Sequence, residues 1–145
     1  MQQFRYFRKT SLIIISLMMG SAYTQTDPIG EIIESTGIGS ILRDNNPLEP
    51  TVSTSIQLYD EAQTGNGRML IEFLDNEELS LTEQTKVYID EVYYDPNPDL
   101  SRMTMRFARG TARFASGTGS RINKANVDLT TPTAQIAIRG TDSRR

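Results

Sequence analysis

In the stretch Arg102–Ala108, with the sequence RMTMRFA, polar and apolar side chains alternate from Arg102 to Phe107. Because successive side chains of a β-strand point to opposite faces, this period of two predicts a strand with one buried side and one solvent-facing side. Met103, Met105 and Phe107 are expected to face a hydrophobic core. The stretch therefore indicates that the surrounding domain is built from strands.

Similar short apolar segments recur along the chain, separated by clusters of Gly, Asn, Asp and Pro that favour turns. Gly30–Leu42 is predicted to hold two short strands and a turn, and Asn45–Ser55 is predicted to be a loop because Asn45-Asn46-Pro47 interrupts the pattern. The fold class expected is all-β, with short antiparallel strands in a sandwich or a solenoid-like domain, preceded by an N-terminal signal helix. The other predicted strands are Ile56–Tyr59, Arg68–Leu74, Leu79–Leu81, Lys86–Val92, Thr111–Ala115, Val127–Leu129 and Ala134–Ile138.

The turns of the predicted fold carry most of the residues with possible chemistry. Asp75, Glu77 and Glu78 cluster in one turn and could pair as acid and base, as glycosidase carboxylates do. Solvated turn-forming side chains are the interpretation we favour, because turns select Asp and Asn for backbone reasons. Asp95, Asn97 and Asp99 could offer oxygen ligands to Ca²⁺, but the two prolines between them favour a stiff loop. Gly110 is expected to mark a bulge in a strand.

The first 22 residues have the layout of a secretory signal peptide. Basic residues come first, Leu12–Met19 forms an apolar run, and Gly20-Ser21-Ala22 supplies small residues for cleavage after Ala22. The run is much shorter than the roughly 20 apolar residues that span a membrane, and a buried N-terminal helix is the alternative. We therefore expect a signal peptide at residues 1–22, a β-domain at residues 23–145, and a periplasmic or secreted protein.

The composition excludes several classes of chemistry. The chain contains no Cys and no His, which removes disulfides, thiol nucleophiles and the usual zinc ligands. It also removes the usual general base of Ser-His-Asp catalysis. No catalytic, cofactor-binding or metal-binding residues and no cofactor are therefore predicted.

Charge is divided unevenly between the two halves of the exported part. Tyr23–Asp99 holds 16 acidic and three basic residues, whereas Leu100–Arg145 holds nine basic and two acidic residues. A basic face for phosphate or nucleic acid is one interpretation. The other interpretation is that the acidic and basic segments form neighbouring strands whose charges complement each other. We favour this second interpretation because the arginines are spaced along strands. No nucleic-acid partner is expected.

The segment Thr131–Asp142 predicts a strand that runs into a turn. Pro132 can begin a strand but not occupy its middle, and Ile136 and Ile138 fall on one face. Arg139–Asp142 has the glycine and the short acid of a turn. Only three residues follow in the sequence.

The sequence Thr131–Asp142, together with shorter pieces, resembles the FecR family. The other segments of that domain are resembled, in order, by Ile29–Ile32, Leu42–Asp44, Thr64–Arg68, Ile71–Asp75, Leu79–Leu81, Val87–Asp90 and Arg109–Arg113. The Asp-Gly-Ser turn of the family is Asp75-Asn76-Glu77 here. The residues of structural motifs that the resemblance assigns are Arg43, Asp44, Asp75, Gly110, Arg113, Thr131, Pro132, Thr133, Ala134, Ile138, Arg139, Gly140, Thr141 and Asp142.

The resemblance implies an exported β-domain for signalling or recognition at the bacterial envelope, without enzyme activity. Its partner would be an unidentified envelope protein, and the membrane would be met only through the signal segment before cleavage. The family motif usually continues into further strands, so a domain shortened at its C-terminus is expected, with self-association through its last strand. The alternatives are a membrane-anchored anti-sigma-type regulator of iron uptake, and an envelope carbohydrate-active enzyme that uses Asp75 and Glu77.

Overall fold

A computed structural model of the chain describes residues 26–117, 122–132 and 135–139. Within these residues twelve strands form two six-stranded sheets, and one short 3-10 helix, Lys124–Asn126, precedes the eleventh strand. The all-β prediction is confirmed. In chain order the strands are β1 (Gly30–Thr36), β2 (Gly39–Arg43), β3 (Asn46–Leu48), β4 (Ser55–Ile56), β5 (Glu61–Thr64), β6 (Arg68–Phe73), β7 (Glu78–Leu81), β8 (Lys86–Tyr93), β9 (Arg102–Arg109), β10 (Thr111–Ala115), β11 (Val127–Thr130) and β12 (Gln135–Arg139).

The two sheets follow matching orders. The first sheet runs β12-β10-β7-β6-β1-β4 and the second runs β11-β9-β8-β5-β2-β3. When the two orders are compared position by position, each strand of one sheet therefore corresponds to a strand of the other sheet that directly precedes or follows it in the chain. The chain builds the domain as successive pairs of strands, one strand in each sheet.

Strand pairs are antiparallel except at one end of each sheet. β12 lies parallel to β10, and β11 lies parallel to β9. From β9 to β12 the chain changes sheet at every step. After two such changes the chain returns to the sheet it left and runs in the same direction as before. The pairs β9–β11 and β10–β12 are therefore parallel. The domain thus combines a mostly antiparallel sandwich with one solenoid-like coil at its end.

One hydrophobic core lies between the sheets. Met103, Met105 and Phe107 of β9 are at most 1% exposed, which confirms the face predicted from the alternation of Arg102–Ala108. Phe73 of β6 is buried as well. The core cluster consists of Ile32, Ile41, Ile56, Ala62, Met69, Ile71, Phe73, Leu79, Leu81, Val87, Ile89, Met103, Met105, Phe107, Ala112, Phe114 and Ile122.

Several local predictions were wrong where the apolar pattern is weak. The predicted loop Asn45–Ser55 contains β3, and the strand predicted at Ile56–Tyr59 is reduced to β4 because Tyr59 has φ 69°. The strand β5 was missed, since Ala62 is its only apolar residue. A period of two cannot be seen in a strand with a single small apolar side chain.

The corner between β9 and β10 depends on Gly110. This residue has φ +92°, and an added Cβ would lie 2.4 Å from the Cα atom of Thr85. The irregularity in β9 lies two residues earlier, at Ala108, since Lys86 pairs with Arg109 and Val87 pairs with Phe107. Gly110 instead turns the chain from one sheet to the other, where the Thr85 hydroxyl accepts a hydrogen bond from the Thr111 N–H at 3.1 Å.

The predicted signal peptide, residues 1–22, lies outside the residues that the structure describes. Within residues 26–117, 122–132 and 135–139, no helix has the length and apolar character needed to cross a membrane.

Candidate functional site

The hairpin turn between β6 and β7 holds the carboxylates that the sequence singled out. The Phe73 N–H donates to the Glu77 carbonyl at 2.8 Å, and the Asn76 N–H donates to the Phe73 carbonyl at 3.0 Å. Asn76 has φ 65°, a left-handed conformation that Gly and Asn adopt most readily. Asn76 therefore takes the conformational place of the glycine in the Asp-Gly-Ser turn.

Two carboxylates of this cluster, Asp75 and Glu77, are buried, which corrects the prediction of solvated side chains, while Glu78 is half-buried at the start of β7. Asp75 is 6% exposed and Glu77 is 0% exposed. The Tyr94 hydroxyl donates a hydrogen bond to Asp75 Oδ1 at 3.0 Å, and Tyr94 also packs against the core. Residues that follow β8 thus close over the turn, a contact between distant segments that local turn chemistry does not predict.

The surroundings of the Tyr94 hydroxyl disfavour its ionisation. Burial raises the pKa of Tyr94 well above its ordinary value, and the negative charge of Asp75, the hydrogen bond to Asp75 and the charge of Glu77 raise it further. Tyr94 therefore stays a hydrogen-bond donor to Asp75 at neutral pH. The arrangement binds the β6–β7 turn to the end of β8.

Tyr94→Phe is expected to lower the free energy of unfolding by about 1–3 kcal/mol at pH 7, because the buried Asp75 loses a donor. The raised pKa of Tyr94 adds stability below about pH 10, the unfolded pKa, and this stability declines as the pH rises further. The variant should therefore show a smaller alkaline loss than the wild type. Urea unfolding followed by circular dichroism at pH 7 and at alkaline pH measures both effects.

Tyr93→Phe is the matched control for this measurement. Tyr93 also donates to a carboxylate oxygen, Asp95 Oδ2 at 2.9 Å, but it is 51% exposed. Its removal should leave the free energy of unfolding nearly unchanged. Equal losses in the two variants would show that the Tyr94 contact is no stronger than a solvent-exposed one.

A second polar cluster joins β2 to the segment before β5. Arg43 Nε donates to Asp60 Oδ1 at 2.9 Å and Arg43 Nη2 donates to Asp60 Oδ2 at 2.8 Å. The same Nη2 donates to the Ser55 carbonyl at 2.8 Å, and the Gln57 N–H donates to Asp60 Oδ2 at 2.8 Å. The hydrogen bond to Asp60 is the main cause that raises the pKa of Arg43, while partial burial opposes it. Asp60 is fully buried, so this bidentate pair is a structural link.

The outer face of the second sheet carries a charged ladder around Tyr88. The Arg106 guanidinium lies 5.0 Å and the Lys86 ammonium 5.4 Å from the centre of the Tyr88 ring. Arg106 forms an ion pair with Asp90 at 2.6 Å, and Lys86 forms one with Glu61. The pair of Arg106 and Asp90 joins the basic half of the chain to the acidic half, as the charge pattern predicted.

The loop Asp95–Asp99 uses its polar side chains to hold its own backbone. Asp95 Oδ1 accepts from the Asn97 N–H at 2.9 Å, and Asn97 Oδ1 accepts from the Asp99 N–H at 3.1 Å. These contacts are Asx turns. In the parts of the chain that the structure describes, no group of three or more His, Cys, Asp or Glu side chains is placed to hold a metal ion.

The residues assigned from family resemblance that the structure describes lie at separate places in the fold. Asp44, with φ 49°, lies in the exposed turn after β2, and Arg113 lies on the exposed face of β10. Thr131 and Pro132 are exposed after β11. Ile138 and Arg139 belong to the backbone of β12. The motif residues that lie outside the described part of the chain are Thr133, Ala134, Gly140, Thr141 and Asp142.

Sequence reasoning missed two important partners, Asp60 and Tyr94. Asp60 lies in a segment without a clear alternation of polar and apolar residues, and nothing in the neighbouring sequence indicates that its carboxylate is buried. A buried acid and its donor come from segments separated by 17 or more residues, so spacing along the chain does not reveal them.

A family model described as FecR protein matches residues 60–145. The chain belongs to the FecR family. The match includes the β6–β7 turn, Tyr94 and the closing motif, whereas the resembling pieces before residue 60 lie outside it. The FecR domain is a signalling and regulatory module. Searches of curated proteins and of solved structures found no match.

Proposed function

We propose that this FecR-domain protein is an exported, non-catalytic module for recognition or signalling at the bacterial envelope. Its family supports a signalling role. The basic start, the apolar run Leu12–Met19 and the small residues up to Ala22 support export. The partner proposed is an envelope protein, and a nucleic-acid partner is not part of the proposal.

The burial of Asp75 and Glu77 is the observation that supports the non-catalytic part of the proposal. A general acid or base must come within hydrogen-bond reach of its substrate. Both carboxylates are instead buried in the turn between β6 and β7, and Asp75 accepts a hydrogen bond from Tyr94. A buried turn that is tied to the core suits a rigid binding scaffold better than a sugar-cleaving site.

The export part of the proposal predicts a new N-terminus at or near Tyr23. Expression of the full chain in a bacterium, followed by fractionation of the cell and intact-mass measurement, tests this directly. The expected product lacks residues 1–22 and appears in the periplasm or the medium. Ala22→Arg is the control variant, because a bulky charge at the cleavage site should block processing.

The same measurement separates the proposal from the regulator of iron uptake. A membrane-anchored regulator would keep residues 1–22 and would sediment with membranes. A full-length product in the cytoplasm would contradict export altogether. The carbohydrate-active enzyme has no support beyond the presence of Asp75 and Glu77, which are both buried.

A further inference from the structure

The last two strands form one flank of the sandwich, because β11 and β12 are the outermost strands of their sheets. β11 pairs with β9 and β12 pairs with β10, and no other described strand lies beside either of them. An outermost strand presents backbone N–H and C=O groups that can pair with another chain. This flank therefore offers two edges, one in each sheet.

The opposite flank carries features that discourage such pairing. There the outermost strands β3 and β4 have only three and two residues, and Pro47 lies within β3. Short strands and proline are common protections of a sheet edge. β11 and β12 are longer, with four and five residues, and contain no proline. Each has a single charged residue, Asp128 in β11 and Arg139 in β12.

The hydrophobic core reaches the β11 edge without being fully covered there. Val127 and Leu129 are only partly buried, although both pack against the core cluster. Their partners in register, Met103 and Met105, are 0% exposed. Another strand beside β11 would remove more of the Val127 and Leu129 surface from water, which is favourable.

We propose that the flank formed by β11 and β12 binds a second copy of this chain, edge to edge through both sheets. Two packed sheets lie about 10 Å apart, so a single peptide strand covers only one of the two edges. A second copy presents two edges at the same separation. A two-fold axis along the sheet normal places β11 against its counterpart and β12 against its counterpart, both antiparallel.

This contact is isologous and closes at two copies, because the same flank is used on both sides. It continues each six-stranded sheet into the partner and leaves the protected β3–β4 flanks at the far ends. The pairing depends on the fold alone and is independent of export and of signalling.

Sedimentation of the full chain over a concentration series tests the pairing. The expected result is a monomer–dimer equilibrium. Thr130→Lys in β11 and Ala137→Lys in β12 each put a charge into the contact and should raise the dissociation constant about ten-fold or more. Asn46→Lys is the matched control, because Asn46 is an exposed residue of β3 on the opposite flank. It should leave the dissociation constant unchanged.

Hydrogen exchange adds a readout that does not depend on the variants. The amides of β11 and β12 should become more protected as concentration rises, while those of β3 should not. Circular dichroism checks that each variant keeps its strand spectrum. A wild type that remains monomeric across the series overturns the proposal; protected edge amides in that monomer would mean that the chain's own residues cover the flank. Association that survives Thr130→Lys and is lost in Asn46→Lys also overturns it.

Discussion

Arg43→Met is expected to lower the free energy of unfolding by about 3–5 kcal/mol, since it leaves a buried carboxylate without its charged partner. Asp60 is fully buried and receives two hydrogen bonds from the Arg43 guanidinium. The Gln57 N–H would remain as a donor but cannot neutralise the charge. Urea unfolding at pH 7, followed by circular dichroism, measures the loss.

The double variant Arg43→Met/Asp60→Leu is the control for that experiment. Replacing both members of a buried ion pair by apolar side chains is often close to neutral. Recovery should be partial here, because the Ser55 carbonyl and the Gln57 N–H lose their side-chain partners. A single variant that unfolds together with the wild type would show that the Arg43–Asp60 pair does not stabilise the folded protein.

Phe107→Ala is expected to cost about 3–5 kcal/mol, the usual range for removing a buried phenylalanine. Phe107 is 1% exposed and lies in the middle of the core strand β9. Such a loss is a large part of the stability of a small domain, which is about 5–15 kcal/mol. Thermal unfolding should therefore show a lower midpoint or a chain that does not fold.

Leu74→Ala serves as the comparison for Phe107→Ala. Leu74 follows β6 and is 65% exposed, so its truncation removes little buried surface. Its effect should stay within about 0.5 kcal/mol. A Phe107 variant that melts with the wild type would contradict the assignment of the core face of β9.

Much of the fold was predictable because alternation reports the face of a strand. In β9 the period of two identified Met103, Met105 and Phe107 as buried residues before any partner strand was known. The turn at Asp75-Asn76-Glu77 was also predictable, because short polar residues with left-handed tolerance favour a hairpin. These features depend on neighbours within a few residues, and the sequence contains that information directly.

The tertiary structure alone decided pairing and polar burial. Alternation does not say that β12 runs parallel to β10, since that follows from the route of the chain between the two sheets. Likewise, the sequence identified Asp75 and Glu77 but assigned them to solvent. The structure buries both of them, and Asp75 accepts a hydrogen bond from Tyr94, which follows β8, just as Arg43 pairs with Asp60 from a distant segment. The sequence by itself determined the strand class, the core faces and the family; the burial of its charged groups depended on contacts between segments far apart in the chain.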